Sequence, residues 1–267
     1  AECKRIGIQV LPPDINESFE GFTIVKDENG KENIRFGLTS VKNFGEGIAA
    51  AIIEERKARG KFSSLEDFLK RVQDRNLNKK SLEALVKCGA LDLFEDRGKL
   101  FHNIDILLEF NRENEKNSAQ DSLFGSIVGG DKITLRDSEP LPQNEQLRWE
   151  KELLGLYISG HPLDKFREKM QSKGISIAKV LENSKEGQAQ KIIGVCEEMK
   201  ENRKKKGDLM AFVKMADFST TMEVVLFPEI YENTKKIFDG ENCIAIEGKI
   251  SLRNGGVSLL AEKIRKI

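Results

Sequence analysis

The hydrophobic pattern changes its period at Lys191, and no single sheet or helical bundle accommodates both halves of the chain. Upstream, apolar residues recur at three- and four-residue steps: Leu38, Val41, Ile48, Ala49, Ile52 and Ile53, then Leu65, Phe68, Leu69 and Val72, then Leu82, Leu85 and Val86. Leu100, Phe101, Ile104, Leu107 and Leu108 continue the series. Downstream, residues 192–199, 209–216, 221–227, 243–250 and 257–264 read as strands. Between the third and fourth of these lies a helix, with Pro228 at its start and Gly240 beyond its end. At 267 residues the chain has room for two or three domains, and a single core is not expected.

Three strands, a helix and two strands is the order of the OB-fold, a five-stranded barrel that commonly binds single-stranded nucleic acid. The connection between its first two strands gathers Arg203, Lys204, Lys205 and Lys206, a cluster suited to a phosphate backbone. Phe212, Phe218 and Phe227 are candidate stacking faces for bases. Alternation along residues 211–215 leaves open whether Phe212 points into the barrel or out of it.

In the helical half, runs at 22–25 and 34–38 flank Asn29-Gly30 and predict a short β-hairpin at the entry. Residues Lys42, Asn43, Phe44, Gly45, Glu46 and Gly47 then interrupt the helical period, which predicts two short helices meeting at a tight hairpin. A positive-φ residue in such a hairpin exposes backbone N–H groups at the start of the second helix, where the dipole also favours an anion. The segment resembles the hydrophobic-Pro-Gly-hydrophobic-Gly pattern of helix-hairpin-helix DNA-binding motifs, with Lys42 in place of the proline and Asn43 in place of the first glycine. Asn tolerates the left-handed conformation better than other non-glycine residues. The alternative is a plain αα-turn without a ligand.

A second helical pair is predicted from a capping box between Ser63 and Glu66, an Asn78 cap and a Gly89 stop. Around it Lys61, Lys70, Arg71, Arg75, Lys79, Lys80 and Lys87 outnumber Glu66, Asp67, Asp74 and Glu83. That surplus suits a duplex backbone contacted without regard to base sequence, or simply a solvated helix face.

Residues 111–119 carry no apolar periodicity, and Gly129, Gly130, Pro140 and Pro142 break regular structure beyond them. Between these lies Gln120-Asp-Ser-Leu-Phe-Gly125, whose Leu123 and Phe124 have no core of their own to enter and suit a partner's pocket. A further helix is expected at 145–157, stopped by residues 159–162, with Leu163, Phe166 and Met170 beginning another. His161 reads as a turn residue whose ring bonds backbone.

Basic and acidic residues number 44 each, so any basic surface is local. No apolar run approaches the ~20 residues that span a bilayer, and the N-terminus lacks a signal-peptide stretch, so a soluble, cytoplasmic protein without a membrane partner is expected. Cys3, Cys88, Cys196 and Cys243 are scattered without metal-ligand spacing and read as buried free thiols.

With these parts in order, the chain resembles the C-terminal portion of bacterial replicative DNA polymerase III alpha subunits. The resemblance rests on residues 7–18, 35–47, 78–85, 120–125 and 152–163, the last reading Glu-Leu-Leu-Gly-Leu-Tyr-Ile-Ser-Gly-His-Pro-Leu. It implies a multidomain α+β chain: the end of the fingers region with a β-hairpin (1–37), a helical tandem helix-hairpin-helix domain (38–115), a polar linker (116–144), a helical connector (145–190) and an OB-fold β-barrel (191–267).

It further implies that the hairpin unit holds duplex DNA through Lys42, Asn43, Phe44, Gly45, Gly47, Lys79 and Lys80, and that the barrel meets single-stranded template through Arg203, Lys204, Lys205, Lys206 and Phe212. Gln120 would bond the β sliding clamp while Leu123 and Phe124 fill its pockets, and other replisome subunits would be reached through the longer chain. The metal-binding carboxylates of polymerisation belong to the family's palm domain, expected upstream, so this stretch alone is expected to bind without catalysing and to need no cofactor. A protein-binding scaffold within a replication or repair assembly is the alternative.

Overall fold

Asn29-Gly30 closes a hairpin, as the dipeptide suggests. In the computed structural model, which describes residues 3, 6–120, 132–203, 209–240, 242–252 and 256–267, β1 (Val10–Leu11), β2 (Thr23–Lys26) and β3 (Glu32–Arg35) form a three-stranded sheet in the order β1-β3-β2. The hairpin pairs β2 antiparallel to β3. Gly30 has φ 77°, and Asp27 Oδ1 accepts the N–H groups of Asn29 and Lys31 at 2.9 Å each. The parallel pairing of β1 with β3 was not visible as an apolar run.

The chain divides into two compact units, Glu2–Ser159 and Gly160–Ile267. In the first, a 3₁₀ turn at Leu38–Ser40 leads into α1 (Glu46–Arg59), α2 (Leu65–Arg71), α3 (Lys79–Lys87), α4 (Arg97–His102), α5 (Ile104–Gln120) and α6 (Gln143–Leu154). Leu38, Ile48, Ile52, Phe68, Leu69, Leu82, Leu85 and Leu107 are fully buried at its centre, and they are the residues that carry the helical period.

Local chemistry sets the ends of these helices. Asn78 and Ser81 form a reciprocal capping box at α3. Its C-terminus closes in a Schellman motif, with Gly89 at φ 85° donating to Val86 O and Ala90 to Leu85 O. The cap of α2 differs from the sequence expectation by one residue: Ser64 accepts the Asp67 N–H, and Asp67 in turn accepts from Ser63. Two adjacent serines offered equivalent caps, and Asp67 at the third helical position completes the later one. Glu66 instead accepts the Ile133 N–H, tying down the returning chain.

The apolar series 100–108 is two helices, broken where Asn103 turns its side chain to Lys99 O and Arg136 O. α5 then runs on through the polar stretch expected to be irregular. Arg112 and Glu113 are good helix formers, and a helix face toward water needs no apolar residue. Within it Asn111 is buried, donating to Leu69 O and Val72 O at the end of α2.

In the second unit, α7 (Arg167–Ser172) and α8 (Ile177–Asn183) precede a closed barrel of β4 (Ala189–Arg203), β5 (Leu209–Ala216), β6 (Thr221–Leu226), β7 (Cys243–Ser251) and β8 (Ser258–Lys266), in the order β4-β5-β6-β8-β7. α9 (Pro228–Thr234) lies between β6 and β7, with proline in its first turn as expected. Ile192, Val213, Met215, Val224, Ile244, Ile246 and Leu259 fill the interior, joined by Tyr231 of α9 and Ile177 of α8. At Gly248, opposite a bulge in β8, a Cβ would lie 2.1 Å from Leu260 O, so only glycine permits the strands to approach there. The barrel is the OB-fold that the strand order predicts.

Candidate nucleic-acid interfaces

Two turns of the first unit bring the N-termini of α1 and α3 together. In the first, Phe44 N–H donates to Val41 O and Lys42 N–H to Leu153 O. Asn43 has φ 66°, the left-handed conformation expected for it, and among the described residues it is the sole non-glycine at positive φ. Gly45 follows as the N-cap of α1, with no side chain capping the helix, so its first-turn N–H groups lack that partner. Phe44 is buried with Val41 and Ile48, so its ring anchors the hairpin from beneath and offers no side-chain contact outward. Lys42, Asn43 and Gly47 are exposed.

In the second turn, Asn78 Oδ1 accepts the Lys80 and Ser81 N–H groups at 3.0 and 3.2 Å, and Ser81 Oγ donates to Asn76 O at 2.6 Å. The two turns share a concavity of about 200 Å³ lined by Asn43, Gly45, Gly47, Ile48, Asn76, Asn78, Lys80 and Ser81. A Cβ on Gly47 would stand 3.3 Å from Asn76 Nδ2, so the missing side chain keeps the concavity open. Lys80 is an exposed cation at its edge. Lys79 points to Asp105 of α5 at 3.0 Å, an exposed pair that solvent screens. Glu46, in the first turn of α1, opposes an incoming anion.

One member of the basic surplus is structural. Arg71 binds Glu55 at 2.9 Å and Asp67 at 3.0 Å, donates to Gly60 O, and stacks over Phe62 with 4.4 Å to the ring centroid. The Arg59 hydrogen bond, reinforced by Arg71, holds the Glu55 carboxyl below the usual carboxylate range.

On the barrel, Ala211, Val213 and Met215 face inward, which turns Phe212 and Lys214 outward. The orientation that the sequence left open is thereby decided. Phe212 lies partly buried between Lys200 of β4 and Val225 of β6. Phe218 is already engaged: the Arg167 guanidinium sits 3.8 Å from its centroid and the His161 ring 4.7 Å away. His161 Nδ1 accepts the Leu163 N–H, the turn role expected of it. Phe227, just before α9, is 41% exposed.

The β4–β5 hairpin is fastened to α9 by a hydrogen bond from the Tyr231 hydroxyl to Glu201, which pushes the phenol up to about 12. Arg203 ends β4 as an exposed residue, and Lys204, Lys205 and Lys206 lie outside the described residues.

Gln120 ends α5, and Leu123 and Phe124 also lie outside the described residues. Among the described residues no group of three or more His, Cys, Asp or Glu could hold a metal ion. All four cysteines are free; Cys88 and Cys243 are buried and the other two partly so. Burial pushes the Cys88 thiol up to about 12. No helix among the described residues is long and apolar enough to cross a membrane.

A family profile described as a helix-hairpin-helix motif matches residues 7–100, and one described as an OB-fold nucleic acid binding domain matches residues 191–267. The DNA polymerase III alpha subunit of Borreliella burgdorferi is 36% identical over 275 residues, covering 100% of this chain and 24% of that protein. Those of Aquifex aeolicus and Thermus aquaticus are 36% and 38% identical, covering 92% and 86% of this chain and 20% and 19% of theirs. The chain is a homologue of the C-terminal region of bacterial DNA polymerase III alpha subunits. It spans about a fifth to a quarter of the length of these curated relatives. In this alpha-subunit homologue both hairpin turns fall inside the helix-hairpin-helix match and Phe212 inside the OB-fold match, whereas residues 120–125 fall between the two.

Proposed function

We propose that this chain is a DNA-holding and clamp-docking portion of a polymerase III alpha subunit. The observation that carries the reading is the concavity shared by the uncapped start of α1 and the start of α3, edged by Lys80 with Lys42 exposed nearby. Backbone N–H groups of α1 aim at one duplex phosphate, and the lysines add charge that is indifferent to base sequence. Asn43 and Gly47 supply the turn and the open space, Gly45 the approach, Phe44 the anchorage, and Lys79 a peripheral charge.

The barrel takes single-stranded DNA across the outer face of β5 and β6, with a base stacked on Phe212 and phosphates drawn to Arg203, Lys204, Lys205 and Lys206. Between these units Gln120 bonds the β sliding clamp and Leu123 and Phe124 occupy its apolar pockets. Clamp tethering raises the effective concentration of DNA at both contacts, so neither need be strong alone. Polymerisation, with its divalent metal ions, belongs to the part of the longer relatives that this chain does not span.

The test is duplex binding by fluorescence anisotropy across a salt series. Lys42→Glu with Lys80→Glu should weaken binding and lower the salt slope by about 2, close to one unit for each phosphate that is no longer neutralised. Unchanged affinity and slope would sink the duplex assignment. Clamp capture that survives Leu123→Ala with Phe124→Ala would separately sink the tether.

A further inference from the structure

A second recognition surface lies on the barrel unit, on strands other than those that carry Phe212. The outer faces of β4, β7 and β8 meet α7 and its flanking residues 166 and 173–175 around a cleft of about 350 Å³. Its floor is apolar, made by Phe166, Ile175, Ile193, Ala245 and Ile267. Its rim is cationic, with Lys169 and Lys173 from the helical side and Lys191 and Arg265 from the strands.

Among the described residues one side-chain carboxylate pairs with this rim. Glu247 binds Lys191 at 2.7 Å and Arg265 at 3.2 Å. Among the described residues no acid pairs with Lys169 or Lys173, and both are exposed. In a chain whose basic and acidic residues balance at 44 each, this is a local surplus around a dry floor.

We propose that this cleft binds an acidic peptide segment of a partner protein, seating one large apolar side chain on the floor and its flanking carboxylates on Lys169 and Lys173. The volume lies at the lower end of the roughly 300–1,000 Å³ range of ligand sites and suits one anchor residue. An apolar anchor inside a polar rim is a common form of peptide recognition. A nucleobase fits less well, because donors and acceptors along its edge would face Phe166, Ile175, Ile193 and Ala245 without partners. The site is independent of the DNA contacts proposed above.

The experiment uses the full 267-residue chain and a short fluorescein-labelled peptide of Asp and Glu with one central Phe. Binding is expected, and replacing the peptide's Phe by Ala should weaken it about 10- to 100-fold, the effect of removing one buried aromatic side chain. Lys169→Glu with Lys173→Glu should weaken it at least as much while leaving oligo-dT affinity unchanged. Both side chains are exposed, so an unaltered melting temperature is expected and confirms that the variant is folded. Absence of peptide binding, indifference to the central Phe, or indifference to the double variant each overturns the proposal. Loss of oligo-dT binding in the double variant also overturns it, and assigns the cleft to nucleic acid.

Discussion

Asn43 is the point at which one backbone angle connects to the proposed DNA contact. It sits at φ 66°, exposed, one residue before the buried Phe44 and two before Gly45, the N-cap of α1. The left-handed conformation costs an ordinary L-residue about 1–2 kcal/mol, and Asn less than most. Asn43→Gly removes that strain but adds unfolded-state freedom of roughly 0.5–1 kcal/mol, so its stability should stay within about 1 kcal/mol of the parent. Asn43→Val puts a β-branched side chain at positive φ and should cost about 1–3 kcal/mol. Because the side chain faces solvent, neither change disturbs the packing of Val41, Phe44 and Ile48. Urea titration reads the cost as a shift in midpoint at constant slope. Duplex anisotropy then reads whether the turn aims the N–H groups: the Gly variant should bind like the parent and the Val variant more weakly. A Val variant as stable as the parent would refute the strain argument. One that loses stability yet binds duplex normally would refute the link from turn geometry to phosphate contact.

Glu150→Ala should destabilise the first unit by about 3–5 kcal/mol in the same titration, because it leaves Arg97 short of a buried partner. Glu150 is fully buried, 2.9 Å from Arg97, and also accepts the Ile158 and Ser159 N–H groups at 2.8 and 2.9 Å. Phe212→Ala should weaken oligo-dT binding by the roughly 1–3 kcal/mol of one stacked base, about 5- to 150-fold. Phe218→Ala, whose ring lies against Arg167 and His161, should leave that affinity unchanged and register in the melting temperature alone. Acidification should lower the urea midpoint: the Glu55 carboxyl is held below its ordinary range, so its contribution is complete above about pH 4.3 and is lost as pH falls through the folded value. Glu55→Gln should flatten that dependence, and an unchanged acid profile would rule out this source.

The barrel was legible because alternation, Pro228 and Gly240 each report one local requirement, and all of them agree. The left-handed turn at Asn43 was legible for the same reason. The orientation of Phe212 was not: either parity of β5 presents apolar residues, and the choice falls to barrel closure. The narrow interior receives Ala211, Val213 and Met215 and leaves the bulkier ring outside. Polar residues with tertiary duties were equally hidden. Asn111 satisfies carbonyls 39 and 42 residues away in sequence, and Asp217 accepts the Ile177 N–H from 40 residues away. Arg71 counted as a surface cation by sequence, yet its partners are Glu55, Asp67 and the face of Phe62. Such roles depend on which backbone groups the fold leaves unpaired, and spacing along the chain does not encode them.

The same point bears on the electrostatics of the proposed DNA contact in a chain without net charge. A binder driven by cations alone would need a surplus, and part of the apparent surplus around α2 and α3 is consumed internally, by Arg71 with its acids, while Lys79 shares its charge with exposed Asp105. What remains at the shared concavity is Lys80, with Lys42 exposed nearby, and the unpaired N–H groups that a left-handed Asn and two small glycines make accessible. Those groups carry partial charges fixed in direction, useful over one helical turn and silent in a tally of Lys and Asp. An interface built this way answers to backbone conformation as much as to ionic strength. Strain at Asn43 and charge at Lys42 and Lys80 are therefore separable handles on one contact, the first moving affinity with little change in salt slope and the second moving both.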